Sequence, residues 1–316
     1  MTQTPSFSFH GVSPLPLLGV IRASGADAAH FLHNQLTQDV LLLKASEARW
    51  AAFCNAKGRM QASFVLFKPS DEEVLLVCRR DLLAQTLKRL SMFVLRAKVR
   101  LSDASDDFHL LGLAGDALHQ ALGHDAIPTD ATALKPWQCH ALSHGHVVTL
   151  YPALGQARGL WLAEKASPVP PWGPALPTQA WDYAEVMSGV AWVAQATFEA
   201  FVPQMLNYES VDGVNFKKGC YPGQEVVARS QFRGTLKRRA FIVQSAAPLT
   251  AGQEVFSSQD TTQPCGLIAQ AASLDGQHVA IAELQLSAVD HPLHALTADG
   301  PVLSLLPLPY ALRDDI

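Results

Sequence analysis

Lys217, Lys218, Gly219, Cys220, Tyr221, Pro222, Gly223, Gln224 and Glu225 stand in one unbroken run that carries the densest chemistry in the chain. A thiolate is both a nucleophile and a metal ligand. Pro222 and Gly223 mark a turn, and the residues after them predict a short helix over Gln224–Arg229. A cysteine just before a helix N-terminus, with two lysines beside it, is expected to have a depressed pKa. Cys220 is therefore the candidate reactive thiol. Cys54, Cys78, Cys139 and Cys265 lie mostly in apolar, strand-like runs and read as small buried hydrophobes. Gly219 and Gly223 permit positive φ and close backbone approach, which a merely solvated loop does not need.

From Lys217 to Arg239 the chain holds seven basic residues (Lys217, Lys218, Arg229, Arg233, Lys237, Arg238, Arg239) and one acid, Glu225. The whole chain has a net charge of −4, so a general basic coat for nucleic acid is excluded. A charge run alone is usually a solvated face. Phe216, Tyr221 and Phe232 are interleaved with this one, which keeps an RNA-binding module over 217–239 as an alternative. Elsewhere, Asn55-Ala56-Lys57-Gly58-Arg59 reads as a tight turn with two cations. Cys139, His140, His144 and His146 match no zinc spacing, and no metal site is assigned. The Trp172, Trp181 and Trp192 group reads as core or interface packing rather than a base-stacking platform. No dinucleotide fingerprint, P-loop, nucleophile elbow or zincin motif occurs.

The elements that position these residues follow from periodicity. Ser24 can cap a helix bearing Ala28, Phe31, Leu32 and Leu36, and strands are expected over Trp50–Cys54, Gln61–Lys68 and Val74–Cys78. A second helix is expected over Asp81–Arg96 and a third over Gln179–Gly189. Ser167–Pro177 is proline-rich and reads as a crossing segment. After about Arg239, short alternating runs (Arg239–Gln244, Glu254–Ser257, Gly266–Ala272, His278–Leu284, Val302–Leu305) have the pattern of a small antiparallel barrel. The class is α+β, with residues 1–240 as one region of two interleaved subdomains and 241–316 as the barrel. No apolar run approaches the roughly 18 residues of a membrane span. With no signal-peptide pattern and an odd number of scattered cysteines, the expected compartment is the reducing cytoplasm.

The run NFKKGCYPGQEVVAR resembles the signature of the YgfZ-type folate-binding proteins, K-G-C-[FY]-x-G-Q-E. Phe31–Val40 (FLHNQLTQDV), Phe53–Met60 (FCNAKGRM) and Phe201–Asn207 (FVPQMLN) resemble further stretches of that family. The family is similar to the T-protein of the glycine cleavage system, a folate-dependent aminomethyltransferase. The resemblance implies an N-terminal ferredoxin-like, folate-binding region closed by a C-terminal antiparallel β-barrel. It further implies tetrahydrofolate or a derivative as cofactor, and iron–sulfur proteins or their assembly machinery as partners, including tRNA-modifying enzymes. It implies a monomer, and it leaves direct contact with tRNA open. The site carried over has Cys220 as its catalytic group. Lys218, Gly219, Tyr221, Gly223, Gln224, Glu225, Arg229, Arg233, Asn55 and Lys57 are its cofactor-binding residues, with Lys218, Arg229 and Arg233 expected to meet an anionic tail.

Two departures from the T-protein pattern bear on activity. Its hairpin carries an Asp-Asp pair that includes the catalytic aspartate, whereas Gly58 is followed here by Arg59-Met60-Gln61-Ala62-Ser63. Aminomethyl transfer by that route is not expected, so one-carbon transfer stands as an alternative and turnover is left open. Met187 falls where a pterin-anchoring glutamate is expected, with Glu185 two residues away as a substitute.

Overall fold

The computed structural model describes residues 9–123, 134–232 and 236–313. Two five-stranded antiparallel sheets and a closed six-stranded barrel account for every strand of the fold among these residues. The first sheet has the order β3-β4-β5-β2-β6, with β2 at Leu18–Ser24, β3 at Ala48–Cys54, β4 at Met60–Ser70, β5 at Glu73–Arg79 and β6 at Arg100–Asp103. Its strands are apolar on both faces because both faces are covered. Ala51, Phe53, Ala62, Phe64 and Leu66 face α1 (Ala28–His33) and α2 (Arg80–Ser91). Trp50, Ala52, Val65, Phe67 and Val77 face the centre of the molecule.

The second sheet has the order β1-β7-β10-β9-β8, with β1 at Gly11–Pro14, β7 at Phe108–Ala114, β8 at Cys139–Ala141, β9 at His146–Ala153 and β10 at Gln156–Glu164. A short helix, α3 (Asp116–Leu122), follows β7. Because β1 joins this sheet while β2 joins the first, the two sheets share the N-terminal chain. The barrel runs β11-β14-β13-β12-β15-β16, with β11 at Arg238–Ser245, β12 at Glu254–Ser257, β13 at Gly266–Leu274, β14 at Gln277–Gln285, β15 at Leu293–Ala295 and β16 at Val302–Leu306. The class is thus α+β with a closed C-terminal barrel, as the alternating runs predict.

Aromatic side chains fill the centre where these layers meet. Trp50 on β3 stacks on Trp137 at 5.6 Å and meets Trp192 edge-on at 4.6 Å and Tyr208 at 5.4 Å. The Tyr208 hydroxyl donates to Ala191 O at 2.7 Å, and Trp137 Nε1 donates to Val211 O at 2.9 Å. Trp192 therefore belongs to the core, as does Trp181 on α4 (Thr178–Met187). Buried ion pairs tie the layers together: Arg158–Glu185 at 3.4 Å and Arg239–Glu209 at 2.7 Å.

Two helix boundaries differ from the periodicity. Ser24 stays in β2, and the helix begins after Asp27, whose carboxylate accepts from the Lys98 amide at 2.6 Å instead of capping. The second helix stops at Ser91 rather than Arg96. The chain must turn there so that β6 can return antiparallel beside β2, and sheet pairing outweighs the helical stripe. Among the described residues no helix is long and apolar enough to cross a membrane.

Candidate functional site

The Lys218–Glu225 run is held between two supports. The first is the loop after α1. Thr37 Oγ1 donates to Gly213 O at 2.7 Å and accepts from the Ala52 amide at 2.8 Å, while Gln38 Nε2 donates to Asp212 O at 2.7 Å. The Asn215 amide then donates to Thr37 O at 2.9 Å, and the Asn215 side chain accepts from the Lys217 amide at 2.8 Å. The chain thus enters the signature from a fixed direction.

Lys218 is buried, and its ammonium donates to His33 O at 2.6 Å, Leu36 O at 3.0 Å and Gly219 O at 3.3 Å. His33 ends α1, so the cation satisfies carbonyls that a helix C-terminus leaves without partners. It also lies 4.6 Å from the centre of the buried Tyr221 ring. Burial brings the Lys218 pKa down to about 8, against the opposing pull of Asp39 and Cys220. Lys218 therefore holds the fold of the loop rather than reaching outward to an anionic tail.

The second support is the turn between β3 and β4. Asn55 Oδ1 accepts from the Lys57 amide at 2.9 Å and the Arg59 amide at 3.1 Å, so its side chain organises the turn. Lys57 is exposed at the tip. Gly223 packs directly on this turn with φ +79°, and a Cβ there would stand 2.4 Å from Asn55 O and 2.6 Å from Gly58 Cα. Only glycine fits so close a backbone approach. Gly219 carries no such constraint: its backbone is not left-handed, and a Cβ there would meet only His33 Nε2, at 3.5 Å.

Between these anchors Cys220 is exposed, while the other four cysteines are buried. Burial pushes the thiols of Cys54, Cys78 and Cys265 up, and that of Cys139 up to about 12. Helix α5 (Gln224–Phe232) follows, supported from below by buried Gln204, whose amide donates to Val227 O at 2.7 Å. Gln224 and Glu225 form its first turn, and Glu225 pairs with Arg229 at 2.7 Å on the exposed face. Such an exposed pair contributes little to stability. Arg233 lies outside the described residues.

The structure adds residues that the sequence motifs do not single out. His33 Nδ1 lies 3.1 Å from Asp39 Oδ1, and both are buried behind Gly219. Burial first, then the Lys218 cation, lowers the His33 pKa, while Asp39 opposes both. His33 and Asp39 both lie in the Phe31–Val40 stretch, but their pairing is not legible there, because only the turn after α1 brings them together.

The linear charge cluster does not survive folding as a patch. Lys218 is buried, Arg229 pairs with Glu225, Arg238 pairs with Glu283 at 2.9 Å and buried Arg239 pairs with Glu209. Among the described residues of the cluster, Lys217, Arg229 and Lys237 stay exposed, and Arg229 is offset by its partner Glu225. That removes most of the electrostatic case for an RNA-binding face. At the hairpin positions where the T-protein pattern has its carboxylates, Ala62 and Ser63 are buried, and the Ser63 hydroxyl accepts from the Val193 amide at 3.0 Å. Met187 packs against the central core, and Glu185 is occupied by Arg158. Cys139 is buried in β8, and no group of three or more metal-ligating side chains gathers among the described residues.

Two sheets sharing an N-terminus and closed by a barrel define a T-protein-like fold. The chain superposes on the crystal structure of glycine cleavage system aminomethyltransferase T from Bartonella henselae with a TM-score of 0.66, at 14% identity, covering 96% of this chain and 87% of that one. No family model matches the chain. It is 30% identical to the tRNA-modifying protein YgfZ of Sodalis glossinidius, over 95% of this chain and 94% of that protein. It is 31% identical to the tRNA-modifying protein YgfZ of Photobacterium profundum, over 94% and 90% of the two chains. The chain belongs to the YgfZ family.

Proposed function

We propose that this protein binds a tetrahydrofolate and supports the assembly or repair of iron–sulfur clusters, including those of tRNA-modifying enzymes, through Cys220. The observation that carries the reading is the presentation of that thiol. Cys220 is exposed on a loop fixed on one side by buried Lys218 and on the other by the Gly223–Gly58 contact. A rigidly presented, accessible thiol suits transient contact with iron or with a reactive group. Clusters normally take four protein ligands, so Cys220 would act together with ligands from a second protein. The name of the YgfZ relatives and the T-protein-like fold support the same reading.

The folate has a suitable place beside the signature. A cavity of about 400 Å³ is lined by Trp137, Tyr151, Gln38, Asp212, Asn215 and the cations Arg49 and Lys135. That volume lies in the range of small-ligand sites, which run from about 300 to 1,000 Å³. Trp137 and Tyr151 would face the flat ring. Asp212 would accept from the donor edge of the pterin, in place of the carboxylate that Met187 lacks. Arg49 and Lys135 would meet carboxylates of the tail. A bound folate would supply a one-carbon carrier. Aminomethyl transfer is not proposed, because no carboxylate follows Gly58 in its hairpin.

Anaerobic calorimetric titration with tetrahydrofolate tests the binding half. Saturable one-site binding is expected, weakened by about tenfold or more in Asp212→Asn and unchanged in Cys220→Ser. No binding at about millimolar ligand would remove the folate from the proposal. The cluster half is tested by the activity of an iron–sulfur tRNA-modifying enzyme in cells that carry only Cys220→Ser. Loss is expected, and full activity would refute a role for the thiol.

A further inference from the structure

On the opposite face of the first sheet from the aromatic core, a cavity of about 350 Å³ opens between α2 and the turn at Phe198–Glu199. Two of its lining groups are buried and lack partners. The Thr86 hydroxyl has no hydrogen-bond partner among the described residues, and Thr86 is 3% exposed. Gln61 is 9% exposed, and its Oε1 also has no partner. Leaving such atoms unpaired costs free energy, so a polar group bound in the cavity that both residues line could satisfy them after a small side-chain rotation.

The remaining lining decides which group. Gln61 Nε2 donates to Glu199 Oε1 at 2.6 Å, which turns the free Oε1 into an acceptor beside a carboxylate. The Asn55 amide, and then Gln61, hold the Glu199 carboxyl below its ordinary pKa. Glu199 has a φ of +57°, a conformation that a residue with a side chain rarely adopts. Glu199, Gln61 and Thr86, a carboxylate, an amide and a hydroxyl, thus line one space. A protonated primary amine brings three donors and one positive charge, and it matches them. Phe53 and Phe198 supply apolar walls, and the exposed Arg89 guanidinium stands at the mouth. An arginine there complements a carboxylate.

We propose that this cavity binds a free α-amino acid with an apolar side chain. Its ammonium lies on Glu199, Gln61 Oε1 and Thr86, its side chain lies against Phe53 and Phe198, and its carboxylate meets Arg89. None of these residues carries the proposed role of Cys220, and the site is separate from the cavity beside Asn215.

The test is titration of the full chain with L-leucine, isopentylamine and 4-methylpentanoate, which separate the two charges on one apolar body. Leucine is expected to bind saturably, the amine several-fold more weakly, and the acid not at all. Thr86→Val, which keeps the shape and removes the orphaned hydroxyl, is expected to weaken leucine by about tenfold while leaving Tm unchanged or higher. Arg89→Met is expected to weaken leucine but not isopentylamine. The proposal is overturned if leucine does not saturate by about 10 mM, if the acid binds as well as leucine, or if the amine does. It is also overturned if a folded Thr86→Val binds leucine unchanged.

Discussion

Gly223→Ala isolates the contact that presents the signature cysteine. Gly223 has φ +79°, and Gly276, in the turn between β13 and β14, has φ +75°. A side chain at either position takes on the left-handed strain of about 1–2 kcal/mol. At Gly276 a Cβ meets nothing within 4 Å, so the cost ends there. At Gly223 the same atom would stand 2.4 Å from Asn55 O, 2.6 Å from Gly58 Cα and 2.7 Å from Gly58 N. These neighbours are backbone held in a hydrogen-bonded turn, so the hairpin itself must move, which adds about 1–3 kcal/mol of overpacking. Gly223→Ala is therefore expected to cost about 2–5 kcal/mol and Gly276→Ala about 1–2 kcal/mol. Urea unfolding followed by tryptophan fluorescence, compared at a common m-value, measures both. Equal losses in the two variants would refute the close approach of signature and hairpin.

Three further outcomes are expected. In the native protein iodoacetamide should label Cys220 alone, with the other four cysteines labelled only on unfolding, as mass spectrometry after digestion would show. The Lys218 amine should titrate near pH 8 by NMR of labelled lysine. Its folded pKa lies below the unfolded 10.5, so the unfolded chain holds the proton more tightly between those values. The Lys218 contribution to stability therefore rises with pH through that window and is flat below it, a slope that Lys218→Met should abolish. Glu185→Gln strands the buried Arg158 cation and should destabilise by about 3 kcal/mol without changing folate affinity, whereas a specific loss of affinity would show that Glu185 anchors the ligand.

The contiguous part of the site was legible in sequence because its chemistry is local. A thiol between glycines, a turn and a helix start are neighbours along the chain, and Gln224 does open α5. The barrel was legible for a similar reason, since antiparallel strands joined by short turns leave an alternating pattern. Strand β1 was not, because four residues carry too little periodicity and their place is set by pairing with β7.

Residue types and local spacing determined the fold class, the candidate thiol and the missing carboxylates after Gly58. Tertiary structure decided what each charge does. Cations that are dense along the chain take separate partners once it folds, because a helix end and two buried acids claim three of them: Lys218 on the His33 carbonyl, Arg238 on Glu283, Arg239 on Glu209. The cavity of Gln61, Thr86 and Glu199 left no motif, because its members come from separate elements, and the pairing of His33 with Asp39 inside the Phe31–Val40 stretch is set by the turn after α1. Burial and distance set a group's partner and its pKa, and both are fixed only when the chain has packed.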